Sequence, residues 1–177
     1  MDQTKPHELW VFGYGSLMWR PGFVHVERCP ARLSGYHRAL CVHSYVHRGT
    51  RDRPGLVLGL DRGGSCRGMA FRVPGHAAAE TLAYLRAREL VTHVYLERRL
   101  AIRFDDGTRA EALTYTVDRG HDQYAGALDA ADAAEVVRGA VGESGANPDY
   151  VLNTVAHLRE MGIHDSMLEA LVARLQA

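Results

Sequence analysis

Hydrophobic and polar positions divide the chain into a strand-rich first two thirds and a helical last third. Trp10, Val11 and Phe12 form a short run of β-formers that stops at two glycines. Apolar and β-branched residues recur over 32–44, 54–60 and 67–73 between Gly, Pro and Arg punctuation, which predicts three further strands. Residues 76–90 are rich in Ala, Leu, Glu and Arg and contain neither Gly nor Pro, so a helix is expected directly after Val73-Pro74-Gly75. Residues 96–104 and 110–117 flank Asp105-Asp106-Gly107-Thr108, a hairpin signal. Helical patterns follow at 129–141, 148–161 and 164–175. Strands first and helices last argue for an α+β fold: a small mixed, largely antiparallel β-barrel with packed helices, not repeating βαβ units. With no internal repeat, low-complexity segment or long linker, residues 1–177 read as one domain, with 1–7 as a flexible N-terminal segment.

Composition narrows the partners. The chain has 177 residues and is 46% apolar, enough for a sizeable core. Its 21 basic and 21 acidic residues are interspersed, so no electrostatic footprint for nucleic acid or an anionic membrane stands out. Cys29, Cys41 and Cys66 fit neither a disulfide framework nor a CxxC metal site and read as reduced, mostly buried thiols. The polar N-terminus lacks a signal-peptide pattern and no window approaches a membrane span, so the expectation is a soluble, cytoplasmic protein.

The densest chemical signal is the turn after the first strand, residues 13–18: Gly13, Tyr14, Gly15, Ser16, Leu17 and Met18. The two glycines permit backbone angles and close approaches that a Cβ would block, and successive amides of Gly15, Ser16 and Leu17 make a concave partial positive charge suited to a carboxylate or phosphate. A turn needed only for folding fits the same residues. Met18 stands where a dinucleotide fingerprint needs its third glycine, Ser16 is not in a GxSxG elbow, and no Walker loop is present. Ser16 therefore reads as a hydrogen-bonding residue and not a nucleophile.

The second signal is Glu89. Ala78, Leu82 and Leu85 recur at helical spacing, and Glu89 is the next position on that stripe. Desolvation there, with the negative end of the helix dipole, would raise its pKa toward general acid and base work near neutrality. A solvated glutamate, or one paired with Arg86 or Arg88, is the competing reading. His43 and His47 have the spacing of helical zinc ligands but fall at a strand end and a loop, and there is no HExxH, so no metal site is expected. The polar, basic loop at 47–55 is a candidate lid by composition alone. Asn147 reads as a helix N-cap with Pro148 at the first helical position, and Tyr150 could line a pocket through its hydroxyl.

Together these residues resemble the ChaC-like γ-glutamylcyclotransferases. Trp10-Val11-Phe12-Gly13-Tyr14-Gly15-Ser16-Leu17-Met18-Trp19 is similar to that family's N-terminal signature. Arg48-Gly49 with Arg53-Pro54-Gly55 is similar to its central loop, Tyr84-Leu85-Arg86-Ala87-Arg88-Glu89 to its catalytic helix, and Ser144-Gly145-Ala146-Asn147 with Tyr150 to its C-terminal motif. The resemblance runs in order from about residue 8 to about residue 175. It implies a γ-glutamylcyclotransferase-like fold, no cofactor, and a glutathione-specific reaction. The α-amine of the γ-glutamyl unit attacks its own γ-carbonyl, giving 5-oxoproline and cysteinylglycine. It also implies Glu89 as catalytic acid and base, the 13–18 turn as glutamyl cradle, and Tyr124, Tyr150 and Arg38 as further substrate-binding positions. Arg38-Ala39-Leu40-Cys41-Val42-His43 replaces the Arg-Arg-Phe-Trp stretch of many eukaryotic relatives, and His93 stands where glycine is expected. Two other functions fit the same residues: cyclisation of other γ-glutamyl amino acids or γ-glutamylamines, and an inactive binding or regulatory protein on the same fold.

Overall fold

A computed structural model describes residues 7–177; of the expected flexible segment 1–7, all but His7 lies outside the described residues. Among the described residues, thirteen short and long elements become seven strands and four helices once the two 3-10 turns, Ser16–Met18 and Gly75–Ala77, are set aside. Strands β1 (Leu9–Gly13), β2 (Glu27–Ser44), β3 (Gly55–Val73), β4 (Tyr95–Phe104) and β5 (Arg109–Val117) close a barrel in the order β1, β3, β2, β4, β5. Helix α1 (Ala78–Glu89) lies between β3 and β4 in sequence. The last third holds α2 (Ala130–Arg138), the two-residue strands β6 (Val141–Gly142) and β7 (Gly145–Ala146), α3 (Asn147–Glu160) and α4 (Ser166–Leu175).

The chain folds into two compact units, each assembled from separated stretches. The first combines the described part of Met1–Arg38 with Leu60–Val117, and the second combines Ala39–Gly59 with Asp118–Ala177.

The first unit carries the barrel pairings. β1 pairs antiparallel with β3, Leu9 opposite Val73 and Gly13 opposite Met69, and closes the ring by a parallel pairing of Trp10 with Ala112 and Val11 with Leu113. β4 and β5 form the hairpin expected around Gly107, whose φ of 88° is the left-handed conformation that glycine supplies cheaply. Leu9, Val11, Leu17, Val73, Ala77, Leu85, Leu113 and Tyr115 form one buried cluster, with Ala78, Leu82 and Leu90 packed against it. Burying a large apolar side chain of this kind contributes about 1.5–3 kcal/mol.

Two strands differ from the sequence reading. The runs at 54–60 and 67–73 are one strand, β3, and β2 begins at Glu27 rather than at residue 32. Residues 62–65, between the two runs, are exposed and contain Gly63 and Gly64 at φ 102° and 66°. Glycines bend the ladder there without ending it, so a local break in hydrophobicity was not a break in pairing.

In the second unit, α2 and α3 both pack on α4. Val42 bridges Tyr124, and the backbone amides of His43 and Ala125 donate to Gln123 and Cys41 carbonyls, lining residues 123–125 along the end of β2. The 47–55 loop is pinned at both ends. Arg48 N donates to Ser44 Oγ at 2.9 Å, Thr50 N to Arg53 O at 3.0 Å, and a Cβ on Gly49 or Gly55 would run into the facing backbone of the same loop.

Asn147 departs from its expected role. Ala146 occupies the N-cap position of α3, while Asn147 is the first helical residue, fully buried, with its side chain turned onto β3. Its Oδ1 accepts from Leu56 N at 2.8 Å and its Nδ2 donates to Leu56 O at 2.9 Å. The amide thus imitates a neighbouring strand, which a buried backbone pair with no ladder partner requires.

Candidate active site

The 13–18 turn is built by what lies under it. β1 runs into Gly13 with Val11 and Phe12 buried, and the chain then winds into the 3-10 turn Ser16–Met18, closed by Met18 N donating to Gly15 O at 2.9 Å. Leu17 and Met18 point into the core and Tyr14 is buried beside them. Of these three substrate-binding candidates, Leu17 and Met18 can therefore offer a ligand their backbone only. The first amides of a helical turn have no acceptor within the turn, so Ser16 N and Leu17 N are the donors such a bend presents. Neither Gly13 nor Gly15 takes a positive φ. What Gly13 supplies is proximity: a Cβ there would stand 3.0 Å from Leu17 Cβ, and one on Gly68 would strike the Gly13 carbonyl.

Arg38 holds this turn from below. It is buried, and its Nε donates to Tyr14 O at 2.6 Å while Nη2 donates to Arg67 O at 2.8 Å. Two of its donors are thus committed to backbone carbonyls, one of them inside the turn. Arg38, counted among the substrate-binding positions from sequence, ties the Tyr14 carbonyl of the turn to the Arg67 carbonyl.

Glu89 is the last residue of α1, where the expected stripe ends. Leu85 is fully buried, Ala78 and Leu82 pack at its flank, and Thr81, which the stripe omits, is buried too. The Glu89 side chain is 18% exposed, and Arg88 Nε stands 3.5 Å from its Oε1. Burial pushes the Glu89 carboxyl above the usual glutamate range, and the Arg88 charge only partly opposes this. Of the two competing partners read from sequence, Arg88 pairs with Glu89, whereas Arg86 pairs with Glu97.

Arg88 also reaches the turn. Its Nη2 donates to Ser16 Oγ at 2.9 Å, and its Nη1 to Arg20 O at 2.8 Å and Tyr84 OH at 3.1 Å. One guanidinium therefore contacts both the carboxylate and the loop expected to cradle a substrate. Its connecting role was missed from sequence, because the contacts span sequence separations of 68 and 72 residues. The same unit thus brings together Glu89, Ser16, the turn and Arg38.

Tyr124 and Tyr150 belong to the second unit. Tyr150 OH accepts from Leu58 N at 3.0 Å and its ring lies under the Arg48 guanidinium. Tyr124 carries the Arg119 guanidinium over its ring at 5.8 Å. His43 stacks on Tyr45, while His47 Nδ1 shares a hydrogen bond with Ser144 Oγ at 3.0 Å. Among the described residues no group of three or more His, Cys, Asp or Glu could hold a metal ion, and the three cysteines are free thiols.

The family model described as ChaC-like protein matches residues 9–177. The glutathione-specific gamma-glutamylcyclotransferase of Escherichia coli strain K12 is 34% identical, over 97% of this chain and 75% of its own length. Glutathione-specific gamma-glutamylcyclotransferase 1 of Homo sapiens is 31% identical, over 97% of this chain and 80% of its own. A crystal structure of the glutathione-specific γ-glutamyl cyclotransferase from yeast superposes with a TM-score of 0.85 at 21% identity, covering 96% of each chain, which establishes a shared γ-glutamylcyclotransferase fold. A carboxylate ending a helix beside a glycine turn thus sits in a chain whose sequence matches from β1 to its last residue, and the chain belongs to the ChaC-like family.

Proposed function

We propose that this protein is a glutathione-specific γ-glutamylcyclotransferase in which Glu89 is the general base and acid. The observation that carries the assignment of Glu89 is its burial at the end of α1, with a raised pKa and an arginine joining it to the 13–18 turn. The names of the bacterial and human relatives support glutathione as substrate.

The chemistry asks for little more. The substrate's α-ammonium must lose a proton before its nitrogen can attack, and a carboxylate with a raised pKa is a competent acceptor near neutrality. Nitrogen then bonds to the γ-carbonyl carbon and closes the five-membered ring. As the tetrahedral intermediate collapses, the carbon–nitrogen bond to cysteine breaks, Glu89 returns its proton to the departing amine, and the second proton of the ring nitrogen follows to that amine, which leaves as an ammonium and regenerates the carboxylate. The products are 5-oxoproline and cysteinylglycine, with no water consumed and no covalent enzyme intermediate. Because both reacting atoms belong to one molecule, the protein's remaining work is to hold the glutamyl chain folded. The Ser16 and Leu17 amides receive the substrate α-carboxylate, and Arg38 keeps the turn that carries them in place. Tyr124 and Tyr150 are retained as substrate-binding positions on the resemblance alone, and three free thiols suit a reducing cytoplasm.

Incubation with reduced glutathione and, separately, γ-glutamylalanine, followed by mass spectrometry of 5-oxoproline, tests this. Product from glutathione alone is expected, with turnover abolished in Glu89→Gln. Product only from the dipeptide would reassign the substrate, and product from neither would remove the activity.

A further inference from the structure

Helix ends fray, and Glu89 is the last helical residue, so its carboxylate is placed only as well as that final turn is held. Apolar packing of Leu85 and Leu90 fixes one side, and Arg88 ties the turn to Ser16 and Arg20. A third attachment runs the other way. Arg86, three residues before Glu89, donates from Nε and Nη2 to the two oxygens of Glu97, each at 2.9 Å. This is the two-pronged geometry that fixes direction as well as distance.

Behind it stands a rigid support. Glu97 on β4 lies directly opposite Tyr115 on β5, and Tyr115 OH donates to Glu97 Oε2 at 3.1 Å. The Tyr115 ring belongs to the same buried cluster as Leu85. Burial first, and then the charges of Glu97 and Glu89, push the Tyr115 hydroxyl up, so it remains a proton donor throughout the neutral range. The contacts bridge the connection from α1 to β4, where His93 holds a φ of 60°.

We propose that Arg86 and Glu97 are positioning residues: their fork, backed by Tyr115, sets the angle at which the end of α1 presents Glu89, and so governs turnover rather than affinity. The inference rests on Glu89 being the general base. Arg86 is 55% exposed and Glu97 24%, and an exposed ion pair adds little to global stability. Catalytic geometry is far less forgiving, since a displacement of about 1 Å can cost roughly 100-fold in rate. The pair is therefore built to separate activity from stability.

The test is a charge swap. Arg86→Glu, Glu97→Arg, the double variant and Glu89→Gln are compared for kcat and KM with glutathione and for melting temperature. Each single reversal is expected to lower kcat by about 10- to 100-fold, with KM within about twofold and little change in melting. The double variant is expected to recover most of the lost kcat. Single variants with unaltered kcat beside an inactive Glu89→Gln would overturn this inference alone, as would kcat that the swap fails to restore. A Glu89→Gln enzyme turning over at the original rate would instead overturn the assignment of Glu89, on which the inference stands.

Discussion

Arg38→Met separates a clamp from a substrate ligand. Methionine keeps an unbranched apolar stem of similar reach but removes the donors to Tyr14 O at 2.6 Å and Arg67 O at 2.8 Å. Hydrogen bonds from a charged group contribute about 1.5–3 kcal/mol each, and the two carbonyls left behind are poorly placed to recover water. Removing an unfavourably buried cation offsets part of this, so a net loss of about 3–4 kcal/mol is expected. With a urea slope of about 2 kcal/mol/M, the unfolding midpoint should fall by about 1.5–2 M. Both tryptophans, Trp10 and Trp19, lie in the same unit as Arg38, so their fluorescence reports the relevant transition directly. Because the Tyr14 carbonyl belongs to the turn proposed as the glutamyl cradle, kcat/KM for glutathione should drop at denaturant-free conditions as well. A midpoint that hardly moves, together with a large rise in KM at constant kcat, would refute the clamp and make Arg38 a direct ligand of the substrate.

Two further outcomes follow from burial. Because burial raises the Glu89 pKa, the folded protein holds that proton more tightly than the unfolded chain does. The resulting stabilisation is complete below the ordinary glutamate range and is lost as pH rises through the raised value. Glu89→Gln should therefore melt higher than the original protein at pH 8 and converge with it near pH 4, even while inactive; a lower melting temperature at pH 8 would contradict the sign. In Asn147→Ala, Leu56 N and O lose both partners at a fully buried site, which at about 1–3 kcal/mol for each orphaned group predicts a loss of about 2–6 kcal/mol. Thermal unfolding followed by circular dichroism checks it, and a loss under about 1 kcal/mol would mean that the amide is dispensable.

Features encoded over a few residues were legible before the fold was known. The β4–β5 hairpin follows from Gly107 and its polar neighbours, since a positive φ is a local demand. The place of Glu89 on the apolar stripe, in the last turn of α1, follows from periodicity, and its raised pKa from continuing that stripe. His93 was marked because glycine was expected there, and it adopts the φ that explains why.

Features that depend on which distant segments meet were not legible. β3 reads as two strands because hydrophobicity lapses at Gly63 and Gly64, whereas the strand runs unbroken from Gly55 to Val73. Asn147 carries every local mark of a cap, yet its amide serves Leu56, 91 residues away. Arg38, Arg86 and Arg88 are interchangeable cations in composition, but one holds the turn, one forks onto Glu97 and one touches Glu89 and Ser16. The sequence by itself determined that strands come first and helices last, where the β4–β5 turn falls and which carboxylate continues the α1 stripe, because propensity and periodicity act within a few residues. Only the tertiary structure decided which guanidinium meets which acceptor, because directional hydrogen bonds depend on register and chain crossing, and no local pattern encodes those.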